Sequence, residues 1–190
     1  NYETARAVVQ AAEAEKSPVI IQLYMRLFDS TKAFDLAGSL IRMAHRCNQP
    51  VALHLDHGDN VGQAKEALAW GYTSVMYDGS RLPFEENVRI TRFCVEYAKA
   101  FGASGEGEIG HVAQGDETSL TDVKEACEFA KQTGVDALAV SIGTAHGYYK
   151  ATPKLDIRRC QEIADSLPET PLVLHGGLDF QHLVPHPERM

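Results

Sequence analysis

Short β-branched, apolar runs alternate along the chain with longer stretches of helical periodicity. The runs at 19–22, 51–57, 74–77, 105–109, 137–142 and 172–174 predict strands. Ala137-Leu138-Ala139-Val140 and Leu172-Val173-Leu174 are unbroken apolar runs, as parallel strands buried on both faces require. Helices are predicted between them, over 3–16, 31–47, 62–70, 85–100, 122–133 and 155–166. Leu36, Leu40, Ile41 and Ala44 share one face of the second, and Val88, Ile90, Phe93 and Tyr97 recur at helical spacing in the fourth. Ser119-Leu120-Thr121-Asp122 reads as a capping-box start, Gly134 as a stop, and Pro153 and Pro168 bracket the last helix.

Strand starts recur about every 20–35 residues, the length of a βα unit. Six such units in series predict a parallel α/β fold. A doubly wound sheet and a closed barrel both satisfy that order. No G-x-G-x-x-G follows the first strand, and polar residues gather at the C-terminal ends of several strands. Both features favour a (β/α)8 TIM barrel. A whole barrel takes about 250 residues, so the 190 residues here predict an incomplete one of about six units.

Composition narrows the function classes. The chain is 44% hydrophobic and 23% charged, with a net charge of −8. That acidity argues against a general nucleic-acid or anionic-membrane binder, while leaving room for a phosphorylated substrate in a locally positive pocket. No apolar run approaches the roughly 20 residues that span a bilayer, and residues 1–4 carry no signal-peptide pattern. Cys47, Cys94, Cys127 and Cys160 are far apart and form no C-x-x-C; reduced thiols in a cytoplasmic protein are expected.

Three histidines stand at predicted strand ends: His57 in Leu55-Asp56-His57, His146 in Gly143-Thr144-Ala145-His146-Gly147, and His175 in Leu174-His175-Gly176-Gly177. A lone histidine at such a place is ordinarily a hydrogen-bonded loop residue. Three converging on one barrel face make an open zinc site, three imidazoles plus an exchangeable position. Asp56 precedes His57, and strand neighbours point to opposite faces, so both reach one site only where the strand ends and twists. Asp56 reads either as a proton carrier beside the metal or as a partner of a histidine; His54 either supports that shell or packs. Glu106 and Glu108 share a strand face, where paired carboxylates are costly without a cation. Glu108 with Asp78 suits a second cation, divalent or monovalent, or an ion pair at the barrel mouth. Gly147, Gly176 and Gly177 suit an anion-binding nest or plain turns, and Lys150 adds charge or is solvated.

Taken together, Val51-Ala52-Leu53-His54-Leu55-Asp56-His57-Gly58, Ser74-Val75-Met76-Tyr77-Asp78-Gly79-Ser80, Phe84-Glu85-Glu86-Asn87, Glu106-Gly107-Glu108-Ile109-Gly110, Gly143-Thr144-Ala145-His146-Gly147 and His175-Gly176-Gly177 resemble the class II, zinc-dependent fructose-bisphosphate and tagatose-bisphosphate aldolases. The resemblance covers residues 1–177 as a partial barrel; 178–190 read as an atypical tail. It implies that His57, His146 and His175 bind catalytic zinc, with Asp56 as proton donor and acceptor at the C4 oxygen. Asp78 and Glu108 match a second metal position. Gly147, Gly176 and Gly177 match groups that grip the dihydroxyacetone phosphate half, with Gln22 and Lys150 as further substrate contacts. Glu117, in the loop at 111–118, is the candidate mobile acid. A phosphorylated ketose substrate and a homo-oligomer follow from the same resemblance.

Departures are also expected from it. The chain opens at Asn1, after the family's first strand, and the last βα unit is missing. Leu178 stands where a serine is expected and Tyr24 where a polar residue is common. Two rivals remain open: a non-catalytic metal-binding remnant, and a metal-dependent hydrolase, which the lack of an H-x-H pair opposes.

Overall fold

The computed structural model describes residues 1–28, 30–110, 120–146 and 154–176. Among them lie six strands: β1 (Val19–Tyr24), β2 (Val51–Gly58), β3 (Ser74–Tyr77), β4 (Ser104–Ile109), β5 (Ala137–Val140) and β6 (Leu172–Val173). Seven helices accompany them: α1 (Tyr2–Glu15), α2 (Met25–Phe28), α3 (Ala33–Arg46), α4 (Val61–Trp70), α5 (Phe84–Ala100), α6 (Val123–Thr133) and α7 (Ile157–Ser166). All five strand pairs are parallel, and the spatial order is β1-β2-β3-β4-β5-β6. A doubly wound sheet reverses its strand order part-way. Here every strand is added on the same side of the last, and the sheet curls into a half-barrel, an incomplete (β/α)8 barrel.

The helix ends follow local chemistry. Asn1 caps α1 through its side chain, which accepts from the Thr4 amide at 2.9 Å. Asn60 caps α4, and Asp156 caps α7. Asp122 caps α6, accepting from the Lys124 and Glu125 amides at 2.9 and 3.1 Å. The cap of α6 is therefore Asp122 itself, a carboxylate one residue before the first turn that satisfies two orphan amides at once; Ser119, where the expected box begins, lies outside the described residues. Gly71 and Gly134 end α4 and α6 in left-handed geometry.

Strand register sorts the side chains by face. Ile21 and Leu23 of β1, Leu53 and Leu55 of β2, and Val75 and Tyr77 of β3 turn outward. They form one buried cluster with Ala5 and Val9 of α1, Leu40 of α3, and Ala67 and Leu68 of α4. Leu138 and Val140 of β5 do the same with Val88, Phe129 and Ile163 of the later helices. Helices α5 and α6 sit close on β4: a Cβ on Gly107 would lie 2.8 Å from Thr91 Cγ2 and 2.9 Å from the Phe129 ring. The inner face is polar. It carries Gln22 beside His54, Tyr24 beside Asp56, and Glu106 and Glu108 beside Ala137 and Ala139. The outer layer stabilises the barrel, and the inner layer is free to carry chemistry.

The predicted strands and six predicted helices are all present, with ends shifted by one or two residues. Two differences matter for the site. Strand β1 runs on to Tyr24, and the chain then makes the short helix α2, which periodicity did not predict. Strand β5 stops at Val140, two residues before the predicted end, and leaves residues 141–146 as the loop that carries His146.

Candidate metal centre and active site

The site begins with an irregularity in β2. The β2–β3 register shifts between Leu55 and Gly58, and His57 has a left-handed backbone, φ 52°. A bulge of this kind re-aims side chains. In a regular strand Asp56 and His57 would face opposite sides; here the ligand atoms of Asp56, His57 and His175 all lie within 4.8 Å of one another. The expected twist at the strand end is thus a bulge at His57. Its backbone N–H donates to the Met76 sulfur at 3.4 Å, which ties the bulge to the neighbouring strand.

Three imidazoles meet at this point. The ring centroids of His57 lie 4.3 Å from His175 and 4.9 Å from His146; His146 and His175 are 6.2 Å apart. Strand β2, the loop after β5 and the turn just past β6 supply one each. Two of the rings are oriented by carboxylates. The His57 Nδ1–H donates to Asp78 Oδ2 at 2.8 Å, and His175 Nε2–H donates to Glu106 Oε1 at 2.9 Å. Asp78 is in turn held by the Ser80 hydroxyl and amide, at 2.7 and 3.1 Å. Glu106 Oε2 lies 3.6 Å from His54 Nε2, and His54 Nδ1 is 2.8 Å from Ser74 Oγ. Glu108 Oε2 stands 3.7 Å from His57 Nδ1, its strand end fixed by Asn87, whose side-chain amide donates to the Glu108 carbonyl at 2.9 Å.

Burial and charge act in opposition on these groups. Burial alone would depress the His57 imidazolium; the Asp78 hydrogen bond and the charges of Asp56, Asp78 and Glu108 outweigh it and leave His57 above its ordinary value. Burial also works against ionised Asp78, but the bonds from His57 and Ser80 hold that carboxyl well below the usual range. His54 is lowered by burial, only partly offset by Glu106 and Asp56. His146 is lowered by burial and by the neighbouring imidazoles of His57 and His175.

The donor set fits a metal ion. His57 Nε2 and Asp56 Oδ1 are buried without a hydrogen-bond partner, a costly state unless something binds there. His57 and His175 each spend one ring nitrogen on a carboxylate, which fixes the tautomer and leaves the other lone pair available, the outer-shell pattern of metal-binding imidazoles. His175 Nδ1 lies 3.7 Å from Asp56 Oδ1. Three imidazoles suit zinc and its neighbours in the first transition row. A second group, His57, Asp78 and Glu108, also offers ligand atoms within 4.8 Å, on the Nδ1 side of His57.

Of the residues predicted from sequence, Asp56, His57, His146, His175, Asp78 and Glu108 come together. Gly176 is beside them: its φ of 69° and the Ala145 carbonyl, 2.5 Å from where a Cβ would stand, require glycine there. Gln22 is exposed on the inner face next to His54, one layer below Asp56. Gly147, Lys150, Gly177 and Glu117 lie outside the described residues. Glu106 enters the site as the partner of His175; its alternation with Glu108 was the available signal. Tyr24 also enters, its ring edge-on to His57 at 6.1 Å. Among the described residues no helix is long and apolar enough to cross a membrane.

The family profile described as class-II fructose-bisphosphate aldolase matches residues 1–183. The chain is 43% identical to a fructose-bisphosphate aldolase of Geobacillus stearothermophilus, over 93% of this chain and 64% of that protein. It is 40% identical to a sulfofructosephosphate aldolase of Alkalicoccus urumqiensis, over 94% and 65%. In structure it matches the YdjI aldolase from Escherichia coli K12 with a TM-score of 0.85 at 36% identity, over 94% of this chain and 64% of that one. The chain thus spans just under two thirds of these relatives' length. With fold, site and sequence in agreement, it belongs to the class-II fructose-bisphosphate aldolase family.

Proposed function

We propose that the protein is a zinc-dependent lyase that reversibly cleaves a ketose 1,6-bisphosphate, fructose 1,6-bisphosphate first and its C4 epimer tagatose bisphosphate second, to dihydroxyacetone phosphate and glyceraldehyde 3-phosphate. The observation that carries the reading is the convergence of His57 and His175 on Asp56, whose buried Oδ1 has no hydrogen-bond partner, with the His146 ring 4.9 Å from that of His57. His57, His146 and His175 would hold the metal, and zinc bound there supplies a Lewis acid for the ketose C2 carbonyl oxygen.

The chain's own groups do the rest. Asp78 and Glu106 keep His57 and His175 in single tautomers, so their lone pairs stay directed inward. Asp56 takes the C4 hydroxyl proton as the C3–C4 bond breaks; the bond's electron pair passes into the C2–C3 enediolate, and C4 leaves as an aldehyde. In condensation Asp56 returns the proton. Gly176, with Gly147 and Gly177, would cradle the C1 phosphate, and Lys150 and Gln22 would add substrate contacts. Asp78 and Glu108 would hold a second cation. A cytoplasmic setting agrees with four unpaired cysteines, and assembly as a homo-oligomer is part of the proposal.

The test is cleavage of fructose 1,6-bisphosphate by the zinc-loaded protein, with Asp56→Ala beside it. Turnover should fall by a factor on the order of a hundred to ten thousand, the usual worth of a positioned proton carrier, while bound zinc stays the same. Unchanged turnover in Asp56→Ala would remove that residue from the mechanism.

A further inference from the structure

The outer wall of the barrel carries a charged groove in which the metal centre has no part. Helices α1 and α3 pack against each other over β1 and β2, and between them runs a groove of about 380 Å³. Arg6 enters it from α1, and Arg42 and Arg46 enter it from α3. On a chain with a net charge of −8, three guanidinium groups around one groove call for a partner. Among the described residues none of the three makes an ion pair with a carboxylate. Glu13, the carboxylate on the groove wall, is turned to Asn48, whose backbone and side-chain amides donate to it at 3.1 and 3.5 Å. The helix dipole explains only Arg46, which sits in the last turn of α3 where a cation is favoured. Arg42 stands a full turn earlier, and Arg6 is in the N-terminal half of α1, where the dipole gives a cation nothing.

We propose that the α1–α3 groove is a second binding site, for a small polyanion carrying phosphate or carboxylate groups, held by Arg6, Arg42 and Arg46. Arg42 and Arg46 are four residues apart, so like charges face each other across one helical turn and oppose the helix. An anion between them turns that repulsion into two charge-assisted contacts. Arg42 is already steadied, its Nη2–H donating to Ser39 Oγ at 3.2 Å, while its other donors stay open. Arg6 closes the groove from the facing helix. The guanidinium fork matches phosphate and carboxylate alike, and the volume is that of a site for a small molecule. The outward core of Ile21, Leu23, Leu53 and Leu55 lies beneath these helices, while Asp56 and the imidazoles face inward, so the groove takes its ligand without touching the metal centre.

The groove contains its own reporter. Cys47, at the C-terminal end of α3, lines it and is partly exposed; Cys127 and Cys160 are also partly exposed but stand outside it. The full chain, loaded with zinc, is alkylated with neutral iodoacetamide in rising pyrophosphate or citrate, and each cysteine is followed by mass spectrometry. Pyrophosphate, citrate or both should slow Cys47 alone, with half-protection at about 1 mM or below, and sodium chloride of equal ionic strength should not. Protection by pyrophosphate only names a phosphate-bearing ligand, and protection by citrate only names a polycarboxylate. Arg42→Gln with Arg46→Gln should raise the half-protecting concentration by about tenfold or more, and Arg6→Gln, on the other helix, should act in the same direction. Arg42→Lys, which keeps the charge and loses the fork, should do less. Removal of zinc by either anion would act equally on parent and variants, so dependence on the arginines isolates the groove. Failure of both anions to protect Cys47 overturns the inference, as does protection that none of the arginine changes moves.

Discussion

At the scale of single residues, the pairing of His57 with Asp78 makes a direct prediction. Asp78 holds the Nδ1–H of His57 at 2.8 Å, and so decides which nitrogen faces the pocket. Asp78→Asn keeps the shape but lets the side-chain amide present a donor where an acceptor is needed. Zinc affinity should fall by about tenfold to a hundredfold, the ordinary effect of losing such an outer partner. Competition against a chromophoric chelator measures this directly, and unchanged affinity would mean that His57 is oriented by Glu108 instead. The cysteines offer a second prediction. Cys94 is buried among outward-facing core residues, and burial pushes its thiol up to about 11, an effect only partly countered by Lys65. Thiolate is the reactive form, so raising the pKa removes it at neutral pH. At pH 8 a thiol reagent should label Cys47, Cys127 and Cys160, which are partly exposed, and leave Cys94 until the chain unfolds. Four equally fast thiols in the folded protein would contradict that burial.

At the scale of elements, β4 is the strand through which outer packing and inner chemistry are joined. Gly105 and Gly107 face α5 and α6, while Glu106 and Glu108 face the site. Gly107→Ala would place a Cβ 2.8 Å from Thr91 Cγ2 and 2.9 Å from Phe129, both fully buried. Overpacking of this kind costs about 1–3 kcal/mol, read as a lower urea midpoint at unchanged slope, and zinc affinity should weaken with it as β4 shifts Glu106 and Glu108. A Gly107→Ala protein as stable as the parent would show that α5 and α6 can withdraw freely. The sequence made much of this layout readable. Unbroken apolar runs marked β5 and β6, and glycine–glutamate alternation marked the two faces of β4. Histidines at strand ends marked the candidate metal centre. The bulge at His57 was not readable, because positive φ is uncommon in any non-glycine residue, and the several-fold enrichment of histidine there is too weak to mark one position inside an apolar strand. Nor was the bond between Glu106 and His175, 69 residues apart; it exists only once the sheet has curled. Helix α2, at four residues, is too short to show a period.

At the scale of the whole molecule, the sheet has two lateral edges among the described residues, β1 and β6. Near β1 the apolar surface is substantial: Ile20 is 62% exposed and Leu27 52%, and both line a groove of about 220 Å³ with Val8 and Leu36. An edge strand with apolar neighbours invites pairing. The remaining core is divided between two clusters, one under β1–β3 and one around β5. The 190-residue chain should therefore gain stability by association, with β1 and its groove as the contact. Association that favours the folded state makes the unfolding midpoint depend on concentration. For a dimer of this size, each tenfold increase in protein should raise the thermal midpoint by roughly 2 °C. Replacing Ile20 with Lys should abolish the dependence, because a charge on that face opposes pairing while leaving the outward core of Ile21 and Leu23 untouched. Light scattering across the same range gives the mass. A monomer at every concentration, with a sharp and constant midpoint, would mean that the half-barrel is stable with its edge open, and the exposed groove beside β1 would then need another explanation.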